Sequence, residues 1–314
     1  MRYKRFGKSG LCVSELSVGT YGVGNAAWGL VEEKEYIKAI EKMIDLGANH
    51  LDTAINYGQG ASETIIGKFI REYRDKVYVT SKGCFRLDES GKQIRDAGYE
   101  NMIRSCDISL KRLGIDYLDF YLVHQPDPTH PIEETMRALN DLKKAGKTRF
   151  IGVSNYTLDM LKEAQKYADI AVVQNQFSMI SRSNQELFEY CRDNDIAVMT
   201  HGSLGAGILT GKIRELPNYG PNDARTFAYD YFVEPKFSQI MKLVSVMDEV
   251  SANHGGCPLS QIAINWLTQK DYVSTALVGV TYERHSEENC AGMDWVLSEE
   301  EMNKLDEAIT AYGL

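Results

Sequence analysis

Short apolar runs alternate along the chain with longer segments whose apolar residues recur every three or four positions. The first pattern fits the buried strands of a parallel sheet, and the second fits helices laid over it. Eight runs stand out: Leu16–Gly19, Asn49–Asp52, Val77–Thr80, Tyr117–Val123, Phe150–Val153, Ala171–Asn175, Ala197–Thr200 and Ser274–Val278. Helical periodicity between them is clearest over Glu33–Leu46, Asn101–Leu113 and Ile132–Ala145. Gly47, Gly114 and Gly146 each follow such a segment and precede the next apolar run, where a helix commonly ends in left-handed backbone. Eight βα units with no linker between them predict an α/β fold, a closed (β/α)8 TIM barrel forming one domain over residues 1–314. Ahead of the first unit, "RYKRFGKSGLCVSELS" predicts a β-hairpin around Lys8-Ser9-Gly10 that plugs the barrel bottom. The longest irregular stretch runs from His201 to Pro235. A last helix is expected over Ser298–Thr310, with Ser298 and Glu301 at the spacing of a capping box.

Composition narrows the function classes. The 314 residues are 43% hydrophobic and 25% charged, as in a soluble globular protein. A formal net charge of −9, unrelieved by any basic block, argues against a nucleic-acid partner. No apolar stretch reaches membrane-spanning length and the N-terminus carries no secretory signal, so no membrane association is expected and a reducing cytoplasm is the default compartment. Six cysteines without a C-x-x-C pair suggest buried thiols, neither a disulfide framework nor a zinc site. Histidines show no H-x-H or H-E-x-x-H spacing, so no metal is expected, and His50 and His254 read as structural. Monomer and homo-oligomer both stay open.

Reactive groups of such barrels sit at the C-terminal ends of the strands. Asp52 ends the second predicted strand, Tyr57 lies in the loop after it, Lys82 follows the third in "VYVTSKG" and His124 follows the fourth in "LDFYLVHQPDP". Carbonyl reduction needs a proton donor beside the point where a hydride arrives, and an unperturbed phenol, with a pKa of about 10, is a weak one. A Lys82 ammonium beside Tyr57 is expected to favour the phenolate and lower that pKa, with Asp52 holding the lysine charged. His124 is expected to donate to the developing oxyanion or to orient the carbonyl.

These residues, in "LDTAINYG", "TSK" and "LVHQPD", resemble the Asp, Tyr, Lys and His tetrad of the aldo-keto reductase superfamily, and the likeness runs nearly end to end. The resemblance implies a nicotinamide-dependent oxidoreductase that interconverts a small-molecule carbonyl and its alcohol, with Tyr57 exchanging the proton. NADP(H) is the implied cofactor, with NAD(H) as an alternative. It implies that Ser154 and Asn155 of "GVSN" and Gln174 of "VVQNQF" meet the nicotinamide, with Thr20, Tyr21 and Asp52 nearby. His201 stands where the family commonly stacks Tyr or Trp on the ring. "HGSLGAGILTGK" resembles the pyrophosphate cradle, which implicates Gly202, Ser203, Leu204, Gly205 and Lys212. It is not a P-loop, because Ile213 follows the lysine, and no G-x-G-x-x-G supports a Rossmann reading. "GVTYERHSEEN" resembles the adenosine-phosphate site, implicating Gly279, Thr281, His285, Glu288 and Asn289, with Arg284 as a substitute cation.

Arg225, in the aromatic stretch "NYGPNDARTFAYDYF", is expected to meet the adenine as part of a lid. Tyr21 and Trp28 are expected to give the substrate pocket an apolar wall, with Tyr57 and His124 beside them. Two rival readings keep the same residues: a dinucleotide-binding regulatory subunit of the channel-associated type with little turnover, and an aldolase-like barrel in which Lys82 forms a Schiff base. The loops Cys84–Gly98 and His201–Pro235 are the expected selectors of substrate.

Overall fold

The computed structural model describes residues 1–24, 28–29 and 31–314. Eight parallel strands close into a barrel: β3 (Leu16–Gly19), β4 (His50–Asp52), β5 (Tyr78–Gly83), β8 (Leu118–Val123), β9 (Thr148–Ser154), β10 (Val172–Gln176), β11 (Ala197–His201) and β12 (Thr275–Gly279). Closure is made by β12 pairing with β3. Seven of these strands overlap the predicted runs to within two residues at either end, and the eighth, β5, extends three residues further. "Ser-Lys-Gly" looks polar and loop-like in sequence, yet Ser81, Lys82 and Gly83 continue the ladder against Tyr121, Leu122 and Val123. A buried cation is tolerated there because its counterion arrives from β4, a compensation that periodicity alone does not register.

Helices cover the outside of the barrel. The predicted ones appear as α1 (Glu33–Asp45), α3 (Tyr99–Leu113) and α4 (Ile132–Lys144), and Gly47, Gly114 and Gly146 do take left-handed backbone. The last helix, α11 (Glu299–Ala311), starts on the expected capping box: Ser298 accepts from the Glu301 amide, and Glu301 accepts from the Ser298 amide. Helix α9 (Leu259–Thr268) is buried along its whole length. Most of the core lies between helices and barrel, where Leu51, Val79, Ile151 and Val173 point outward onto residues such as Met43 and Leu139.

The N-terminal hairpin pairs β1 (Tyr3–Arg5) with β2 (Cys12–Ser14) and sits under the barrel as expected. Phe6, in its turn, is fully buried with Phe120, Leu122, Val172 and Met199 inside the barrel, 5.1 Å from the Phe120 ring and edge-on to it. The lower end is therefore filled. Strands β9 and β10 approach so closely that a Cβ on Gly152 would lie 2.4 Å from the Val172 carbonyl oxygen. At the upper rim a hairpin absent from the sequence reading, β6 (Phe85–Leu87) with β7 (Gln93–Arg95), rises from the loop after β5.

Candidate functional site

Asp52 closes β4, and the chain then turns so that Tyr57 opens a short 3-10 segment, Tyr57–Gly60. Lys82 comes up beside them on β5. Its side chain is 0% exposed and that of Asp52 is 3% exposed. Lys82 Nζ donates to Asp52 Oδ1 at 2.6 Å, to the Thr53 carbonyl at 2.9 Å and to Tyr57 Oη at 3.2 Å. All three ammonium protons are thereby directed, one of them at the phenol oxygen. The second carboxylate oxygen of Asp52 accepts from Gln174 Nε2 at 2.7 Å. His124 follows β8, with its ring edge-on to Tyr57 at 5.5 Å and to Phe85 at 5.3 Å.

Burial sets the protonation states. It pushes Lys82 down and Asp52 up, and each partner opposes the shift of the other, so the ion pair is self-supporting. Burial raises the Tyr57 phenol well above its ordinary value, with further raising by the Asp52 carboxylate and the hydroxyls of Tyr21 and Tyr229. The expected lowering by Lys82 is thus overturned. Complete desolvation of the phenolate outweighs a cation already paired with a carboxylate 2.6 Å away. Burial, followed by the Lys82 and His201 charges, drives His124 well below 6.5 and keeps it neutral. Among the described residues its Nδ1 is buried without a hydrogen-bond partner.

A cleft of about 440 Å³ opens over this group. From the first and second barrel loops it is lined by Thr20, Tyr21, Trp28, Asp52 and Tyr57; from the segment after β11 by His201, Gly202, Ser203, Leu204, Lys212 and Arg225; and from β12 onward by Gly279, Thr281, His285, Glu288 and Asn289. The structure thus gathers these sequence candidates on one surface. Others stand apart from the lining, His124 of the expected substrate wall among them. Gln174 supports Asp52. Asn155 donates to the His124 carbonyl and to Ser154 Oγ, both at 3.0 Å, while its oxygen lies 3.2 Å from His201 Nε2. Gly205 donates its amide to the Gly202 carbonyl and turns its Cα toward Ile180, so Ala206 and Gly207 line the cleft in its place.

Three expected cations have partners within the protein. Lys212 Nζ lies 3.4 Å from Glu288 Oε2, so the phosphate candidate and the adenine candidate hold each other. Arg225 is clasped by Asp223 through its Nε at 2.8 Å and a terminal nitrogen at 2.6 Å, and its guanidinium lies 3.9 Å from the Tyr219 ring centroid. Arg284 is exposed, with its guanidinium over Tyr282, outside the lining.

Sequence reasoning missed two contributors. Tyr229 lines the cleft; the aromatic clustering of Asn218–Phe232 was visible, but which ring turns inward was not. Behind Lys82, the fully buried Glu63 accepts from Ser81 Oγ at 2.7 Å and from Arg112 at 3.2 Å, and Arg112 also donates to the Ile55 carbonyl. In sequence Glu63 looks like any acid in the first turn of a helix. Among the described residues no group of three or more His, Cys, Asp or Glu could hold a metal, and no helix is long and apolar enough to cross a membrane.

A sequence model described as the Aldo/keto reductase family matches residues 15–310. An aldo-keto reductase of Bacillus subtilis, YhdN, is 33% identical over 98% of this chain and 93% of its own length. An NADH-specific methylglyoxal reductase of Escherichia coli is 29% identical over 97% of both chains. Among solved structures, an aldo-keto reductase of Klebsiella pneumoniae in complex with NADPH superimposes with a TM-score of 0.75 at 28% identity, covering 98% of this chain and 94% of that one.

Proposed function

The chain belongs to the aldo/keto reductase family of NAD(P)-dependent oxidoreductases, and from that premise we propose that it interconverts a small carbonyl compound and its alcohol, with Tyr57 exchanging the proton. The contact that carries this reading is the 3.2 Å hydrogen bond from Lys82 to Tyr57, anchored at its other end by Asp52.

A nicotinamide dinucleotide suits the cleft by shape and donor set. A Cβ on Gly22 or on Gly207 would meet nothing within 4 Å, so the backbone there leaves open room for a ligand. Ala206 and Gly207 both take positive φ, 55° and 92°, and line the cleft, with the Gly207 amide donating to the Leu204 carbonyl at 3.0 Å to hold the turn. Residues of the β11 segment would hold the pyrophosphate, and those after β12 the adenosine end. NADP(H) is the cofactor we assign, with NAD(H) as the alternative. Such a cofactor supplies the hydride that reduces the carbonyl carbon.

The protein's own contribution is the proton. Burial keeps Tyr57 Oη protonated, so in the reducing direction it can donate to the carbonyl oxygen. The phenolate left behind is stabilised by the Lys82 N–H already aimed at it, and Asp52 and Gln174 hold that lysine in place. Neutral His124, edge-on to Tyr57, orients the carbonyl oxygen. Replacing Tyr57 with Phe should lower turnover by about 10²- to 10⁴-fold, the usual worth of a positioned proton donor. Dinucleotide affinity, read by fluorescence titration, should change little. Near-normal turnover in that variant would refute the role of Tyr57. Tight dinucleotide binding by the native protein, with no turnover of any small aldehyde, would favour the regulatory-subunit reading instead.

A further inference from the structure

We propose that Tyr229 is a specificity-determining residue that favours carbonyl compounds bearing hydroxyl groups beside the carbonyl, a hydroxy-aldehyde or sugar-like class. The proposal rests on the reductase reading above. Tyr229 belongs to the segment that follows the short helix α7 (Ala224–Phe227). Its ring is fixed edge-on to Trp28 at 6.3 Å and stacked on Tyr231 at 5.4 Å. Tyr231 is itself anchored, because Gln176 Nε2 donates to its hydroxyl at 2.8 Å. Tyr229 is thus a held wall of the cleft that contains Tyr57.

The polar end of that wall is unspent. Among the described residues the Tyr229 hydroxyl makes no hydrogen bond, and burial lifts its pKa to about 12, so it stands as a neutral group able both to donate and to accept. Tyr21 lines the same cleft, its ring edge-on to Tyr57 at 5.1 Å. In the same wall, among the described residues, Trp28 Nε1 is buried without a partner. A wall built only to exclude water could carry Phe here; the hydroxyl of the half-buried Tyr229 adds a polar group on the cleft side with no partner among the described residues. A substrate hydroxyl one or two carbons from the carbonyl would pair with the Tyr229 hydroxyl, whereas an aliphatic aldehyde would offer it no partner. Sites built to pair a substrate hydroxyl discriminate strongly against the analogue that lacks it. Tyr229 also lines a second cleft of about 1000 Å³ whose walls include Ser181, Arg182, Thr226 and Lys236, giving a longer polar chain a route past the ring.

The test compares kcat/KM for glyceraldehyde and propanal, equal in carbon count, in the native protein and in Tyr229→Phe. Intrinsic reactivity of the two aldehydes cancels in the comparison of variant with native. The glyceraldehyde-to-propanal ratio should fall about ten-fold in the variant, with the loss carried by the hydroxylated member. Trp28→Phe, which loosens the ring packed edge-on against Tyr229, should move the ratio in the same direction. A ratio within about two-fold of native in both variants, or an equal loss on both aldehydes from altered packing, would overturn the proposal. Native turnover of propanal in that case leaves the reductase reading standing. Dinucleotide binding with turnover of neither aldehyde would remove both.

Discussion

His50 stands two residues before Asp52 on the same strand, and its surroundings decide the pH behaviour of the fold as firmly as Lys82 decides that of the site. It is fully buried, hydrogen-bonded through Nε2 to Thr80 Oγ1 at 2.8 Å, and burial lowers its pKa to about 3. In the unfolded chain the same imidazole takes up a proton near 6.5, so below that pH the unfolded state binds more protons and stability falls. The loss continues down to about 3, where the folded state protonates as well. Denaturant titrations between pH 7 and 4.5 should show His50→Gln with a shallower decline than the native protein, by up to about 1.4 kcal/mol per pH unit below 6. Equal slopes would mean that His50 is not held neutral. At this scale the sequence made Asp52, Lys82 and His124 readable as candidates, each a polar residue at or just past the end of an apolar run, with Tyr57 in the loop beyond Asp52, and the structure brings the four together. The direction of the Tyr57 shift was not readable. It depends on how completely Tyr21, Tyr229 and the barrel wall exclude water, and those groups meet only in the folded chain.

Strands and helices were legible wherever a period persisted. Helices α1, α3 and α4 announced themselves through apolar spacing and terminal glycines, and α11 through its capping box. Elements without a period escaped: strands β6 and β7 are three residues each, too short to show an alternation, and the last three residues of β5 read as a loop because a lysine lies among them. Gly152 shows how element packing reaches the site. Any side chain there would strike the Val172 carbonyl on the neighbouring strand, and two residues later the same strand delivers Ser154 and then Asn155 beneath His201. Gly152→Ala should therefore destabilise the fold by about 1–3 kcal/mol, the typical cost of overpacking. It should also weaken dinucleotide binding, through a displaced Asn155. A thermal midpoint and titration curve matching the native protein would show that β9 and β10 can part without cost.

On the scale of the whole molecule, the two ends of the barrel have different duties. The hairpin of β1 and β2 and the Phe6 ring fill the lower end, while the polar cluster of Asp52, Lys82, Tyr57 and His124 occupies the upper. Phe6→Ala should cost about 3–5 kcal/mol of unfolding free energy, as for other fully buried aromatic residues. At a temperature where the variant stays folded, its dinucleotide affinity should be close to native. A large loss of affinity would mean that the two ends are mechanically linked. The sequence conveyed this polarity because hairpin and barrel units are consecutive in the chain; it could not convey the second cleft, which is assembled from residues near 180, 230 and 314.

Because the lower end is sealed by a segment that takes no part in the upper surface, the protein has a keel and a deck. Insertions, deletions and exchanges of side chain among the deck loops alter what is handled there without disturbing the ballast that keeps the hull upright. Tyr229, borne on one such loop and standing between two hollows, is the place where a single replacement would redirect the cargo.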